Sequence, residues 1–121
     1  MNHKIIEADF ERSQPLFLSL SMSQEINISA QLVNQYFGLS TAQDDLTYSL
    51  LLANLTKQIK FMLDEDFQGL LNAMYRIDVA EGKFSLALET GNPDDVPRNV
   101  ATLILDRIVE KAKTRLKYSG E

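Results

Sequence analysis

Apolar side chains recur at steps of three and four over most of the second two thirds of this chain. Tyr48, Leu51, Leu52, Leu55, Ile59 and Met62 follow that rhythm for about four turns. The spacing predicts an amphipathic helix ending near Leu63. Its start is expected at Ser40-Thr41-Ala42-Gln43, which matches a capping box, with Asp44 and Asp45 in the following turn. Phe67, Leu70, Leu71 and Met74 predict a second helix over 64–77 that follows almost without a loop. Asp64, Glu65 and Asp66 then stand at its head, where free N–H groups and the helix dipole favour negative charge.

Asp78 and Glu81 have capping-box spacing, so residues 78–81 read as a tight corner that opens a third helix carrying Phe84, Ala87 and Leu88. Gly91-Asn92-Pro93 should end it, because glycine suits a left-handed residue and proline cannot continue the ladder. Asp94 or Asp95 is the expected cap of a last helix with Pro97 in its first turn. Val96, Val100, Leu103, Ile104, Ile108, Ala112 and Leu116 share one of its faces, which predicts helix to about Tyr118.

The first forty residues are less regular. Residues 1–14 are polar with a small apolar patch and read as a short helix or a loose arm. Pro15 interrupts any helix through it. Leu16, Leu18, Leu20 and Met22 alternate with Phe17, Ser19 and Ser21, a period of two that suits a strand. Residues 16–30 could therefore be extended. The helical alternative uses Ile26, Ala30, Val33 and Phe37, with Ser23 as N-cap and Gly38 just past the end. No hairpin turn joins the halves, and a lone hairpin is marginal. The spacing thus favours helix over 24–37. The expected fold is all-α, a compact bundle of four to five helices in a single domain spanning 1–121.

Composition narrows function mainly by exclusion. At 121 residues the chain has the size of one domain. It has no cysteine, which removes disulfides, thiolate metal sites and cysteine nucleophiles. Its one histidine, His3, cannot build a histidine metal site or relay by itself. The net charge of −5 argues against nucleic acid or an anionic membrane as the default partner. No apolar run reaches the ~20 residues of a membrane span, and no secretory signal is evident, so a cytoplasmic protein is expected.

Candidate chemistry is sparse. The paired acids all fall at expected helix starts, where capping explains them, and no calcium loop or Glu-x-x-His pair exists; no metal and no cofactor are expected. Nucleophile elbows, phosphate loops and dinucleotide fingerprints are also missing. Tyr75, Arg76 and Asp78 form the densest polar group and are a candidate ligand-binding site, although such a corner more often serves packing. The last helix carries six basic residues against two acidic ones between Arg98 and Tyr118, a local +4 in a chain of −5. Arg107, Lys111 and Arg115 are its candidate anion or nucleic-acid surface, with the null that late cations complement the helix dipole. Finally, Leu50, Leu51, Leu52 and Leu55 nearly encircle their helix, and Leu105 and Val109 lie off the main stripe of theirs. A helix apolar on two sides must bury two sides. That surplus, with no catalytic motif, points to a non-catalytic interaction or scaffold domain with a protein partner or a homo-oligomer.

Tyr75-Arg-Ile-Asp-Val-Ala-Glu81, then Asn92-Pro93, then the run from Leu103 to Arg115 resemble a group of small uncharacterised bacterial helical proteins. The resemblance covers about Leu50 to Arg115 and none of residues 1–40. It implies a small bacterial cytoplasmic helical protein and carries over no catalytic or binding residue.

Overall fold

The computed structural model describes residues 23–39 and 46–119, and these form five α-helices and one 3₁₀ turn with no strand. The helices are α1 (23–37), α2 (Tyr48–Glu65), α3 (Phe67–Ile77), α4 (Glu81–Glu89) and α5 (Val96–Ser119). The 3₁₀ turn Pro93–Asp95 leads into α5. The expected all-α bundle is what the chain forms. The arm at 1–14, the alternating stretch 16–22 and the capping box at 40–43 lie outside the described residues.

Helix α1 settles the ambiguity at 23–30, where an extended chain was an alternative: these residues are α-helical. Ala30, Leu32 and Val33 enter the core, which a strand with period two could not arrange at those spacings. Gly38 ends the helix in the left-handed region (φ 68°), and its N–H donates to the Asn34 carbonyl.

Four expected boundaries are corrected. Helix α2 starts at Tyr48, not from a box at 40–43: Thr47 is its N-cap, and the Thr47 hydroxyl accepts from the Leu50 N–H at 3.2 Å. Asp64 and Glu65 belong to the last turn of α2. Only Asp66 serves α3, as an N-cap accepting from the Gly69 N–H at 3.0 Å. Asp78 does not open α4. It closes α3 in the left-handed region (φ 67°), where Asp is among the few side chains tolerated. The Asp78 N–H donates to Tyr75 and the Val79 N–H to Met74, the paired bonds of a Schellman ending. Ala80 is the N-cap of α4 and offers no side-chain bond. At the last helix, Asn92 rather than an aspartate caps the lead-in turn, accepting from the Asp94 N–H.

Helix α5 is the axis of the core. Val100, Ala101, Ile104, Leu105, Ile108 and Ala112 are fully buried on it. Helix α2 lies against α5 and runs antiparallel to it. Tyr48 at its start bonds Asp106, whereas Lys60 and Leu63 near its end border a cleft with Pro97 and Arg98. Leu51, Leu55 and Ile59 of α2 are buried in the same core. Leu51, Leu52 and Leu55 of the leucine surplus of α2 and the off-stripe Leu105 are thus consumed inside the chain, because neighbours cover these helices on more than one side, whereas Leu50 is half-buried. Val109 is half-buried.

Candidate functional site

Tyr75, Arg76 and Asp78 follow one another in sequence but do not converge. Two of them, Tyr75 and Arg76, sit on the outer side of α3, whose inner side is set by Leu70, Ala73, Met74 and Ile77. Tyr75 is 74% exposed, and its hydroxyl donates to Glu81 at 3.3 Å. The Arg76 guanidinium turns the other way and stands over the ring of Tyr36 on α1, 5.3 Å from its centroid. Asp78 faces α5. Arg107 donates from Nε to the Asp78 carbonyl at 3.2 Å and brings Nη2 to 3.6 Å from the Asp78 carboxylate. The three side chains thus contact three different helices, Tyr75 α4, Arg76 α1 and Asp78 α5.

Asp78 borders a cavity. A cleft of about 410 Å³ lies between the α3–α4 corner and α5, with Asp78, Lys83, Asp106, Arg107 and Glu110 on its walls. Arg107 also reaches Glu110 at 3.7 Å, so its charge is shared between two carboxylates. The candidate cation stripe is therefore uneven. Arg107 is engaged, Lys111 is half-buried, and Arg115 is exposed. The three lie at intervals of four on one side of α5.

The cleft continues into a groove between α4 and α5 through shared Lys83, Leu103 and Asp106. This groove measures about 380 Å³ and has Leu86, Ala87 and Leu103 as its apolar lining and Thr90, Asn99 and Thr102 as its polar lining. Leu86 is 64% exposed there, a large apolar side chain left in water beside apolar neighbours. The spacing of Phe84 and Leu88 marked the buried side of α4, but Leu86 went unremarked. The available signal is its offset: two residues from Phe84 on a helix is nearly the opposite side.

Among the described residues, Tyr48 is the group whose titration departs clearly from normal. Partial burial and then the bond its hydroxyl donates to Asp106 (3.1 Å) raise its pKa above the ordinary 10.0; Arg98 opposes the shift. This neutral tyrosine ties the start of α2 to α5. Among the described residues, no group of three or more His, Cys, Asp or Glu side chains could hold a metal ion. No described helix is long and apolar enough to cross a membrane. Compared with protein-family models, curated proteins and solved structures, the chain matches none of them, so the resemblance over Leu50 to Arg115 stands on its quoted residues alone.

Proposed function

We propose that this protein is a non-catalytic interaction domain that presents the groove between α4 and α5 to a protein partner, either another protein or a second copy of itself. The observation that carries the reading is Leu86, 64% exposed beside Ala87 and Leu103 in a groove whose polar rim holds Thr90, Asn99 and Thr102 with one cation, Lys83, and one carboxylate, Asp106. An apolar centre ringed by polar groups is the usual anatomy of a contact surface. The resemblance over Leu50 to Arg115 supports a bacterial, cytoplasmic setting for this role.

The test compares three tagged proteins in lysate of the native host at moderate salt: wild type, Leu86→Glu, and Phe61→Glu as a control at another exposed apolar residue. Wild type and Phe61→Glu should retain the same partner, or the same self-association in sedimentation equilibrium, and Leu86→Glu should lose it. Equal capture by all three, or no capture together with a strictly monomeric chain, overturns the proposal.

A small-ligand reading at Tyr75, Arg76 and Asp78 retains support only from Asp78 and its cleft of about 410 Å³. An accessory nucleic-acid reading rests on Arg107, Lys111 and Arg115, against a net charge of −5. Salt-dependent oligonucleotide binding lost in Lys111→Gln would favour that alternative over the groove.

A further inference from the structure

Helix α4 is attached to the bundle unlike any of its neighbours. It has nine residues, and one side chain, Phe84, is buried. Isolated helices shorter than about 12–15 residues are marginal in water, so α4 depends on its docking. That docking has one buried apolar anchor: Phe84, 7% exposed, stacks on Phe67 with ring centroids 6.3 Å apart. Ala87 and Leu88 add half-buried apolar contacts, and the remaining ones described are solvent-exposed and polar. Tyr75 donates to Glu81 at 3.3 Å, Asn99 donates to the Thr90 carbonyl at 3.4 Å, and Arg107 holds Asp78. Exposed pairs of this kind contribute about 0–1 kcal/mol each.

Both ends of α4 carry a residue in the left-handed region. Asp78 (φ 67°) precedes it and Gly91 (φ 80°) follows it. The Asp78 turn reverses the chain independently of α4, because it is completed by bonds back into α3. The helix start lacks a side-chain cap at Ala80, and at that end the polar ties are those of Arg107 and Tyr75, beside the half-buried Val79. Below α4, the α5 surface continues into the fully buried Val100 and Ile104 and is held independently by α2.

We propose that α4 is a hinged strap: it opens from α5 as a unit about Asp78 and Gly91 while the α2–α5 core stays folded. Opening releases Phe84 and uncovers Leu103 and the apolar seam beneath it. The groove at Leu86 is the visible edge of that seam. The inference concerns the opening of the fold and holds whether or not a partner uses the groove.

The test is native-state hydrogen exchange on the full chain, followed residue by residue by NMR at several low urea concentrations. The amides of Phe84 through Thr90 should exchange at one common rate, at least about tenfold faster than those of 55–62 and 104–112, and with a weaker urea dependence. Phe84→Leu should accelerate the α4 amides several-fold further and leave the α2 and α5 amides unchanged. A common rate and urea dependence for α4, α2 and α5 overturns the proposal, since α4 then opens only when everything unfolds. A smooth gradient inward from both ends of α4 also overturns it, since that is fraying and not opening as a unit.

Discussion

Helices α2 and α4 both lie antiparallel on α5, yet they are held to it by different physics. Helix α2 buries Leu51, Leu52, Leu55, Ile59 and Met62, whereas α4 buries Phe84 alone and leaves Leu86 mostly in water. The two helices have 18 and nine residues, so α2 presents twice the number of turns to α5. The contrast shows that a shared axis does not confer shared stability. The seam with α2 carries the fold, and the seam with α4 leaves a groove where function can reside without weakening the core.

The largest expected effect lies in the first seam. Leu55→Ala should cost about 2–5 kcal/mol, read as a lower urea midpoint, because Leu55 is completely buried in the core. Phe84→Ala removes a larger side chain but should cost less, because α4 can detach once its docking energy is spent. Equal losses at Leu55 and Phe84 would mean that the two seams are one cooperative unit and would break the comparison.

The hinge supplies a smaller effect. Asp78→Val should cost about 1–2 kcal/mol, because a β-branched residue is strained at φ 67°. Asp78→Asn keeps a side chain that tolerates this backbone and removes only a solvated ion pair, so it should stay within about 0.5 kcal/mol of wild type. A large loss in Asp78→Asn would instead mean that the Arg107 contact holds the corner shut. The smallest effect is at Tyr48. Its raised pKa favours the neutral form in the folded state, so its contribution is present below pH 10 and fades as pH rises through the folded pKa. Absorbance at 295 nm should show a tyrosine titrating above 10.0 that Tyr48→Phe removes, with little change in stability at neutral pH.

The periodic helices were legible from local chemistry. Leu51, Leu55, Ile59 and Met62, and again Val100, Ile104, Ile108 and Ala112, repeat at intervals that only a helix can turn to one side, and all of them are buried. The corners were less legible because one residue can serve either neighbouring helix. Asp78 fits an N-cap by spacing with Glu81, but the turn it makes is the left-handed end of α3, and the backbone bonds to Met74 and Tyr75 decide between the two. Asp64 and Glu65 had the same ambiguity, and α2 simply extends through them.

The candidate site shows the limit more sharply. Adjacent positions on a helix point about 100° apart, so nearness in sequence at Tyr75, Arg76 and Asp78 carries no promise of a shared pocket. The groove, in contrast, joins Leu86 to Asn99 and Leu103, residues that come together only because Gly91 and the Pro93–Asp95 turn fold α4 back on α5. By itself the sequence determined the all-helical class, most of the core residues and the exclusion of cysteine and histidine-cluster chemistry, since all of these follow from residue type and period. Tertiary structure decided which apolar surplus is buried and which is left open. That outcome depends on how many neighbours each helix acquires: α2 is covered on more than one side, and α4 is not.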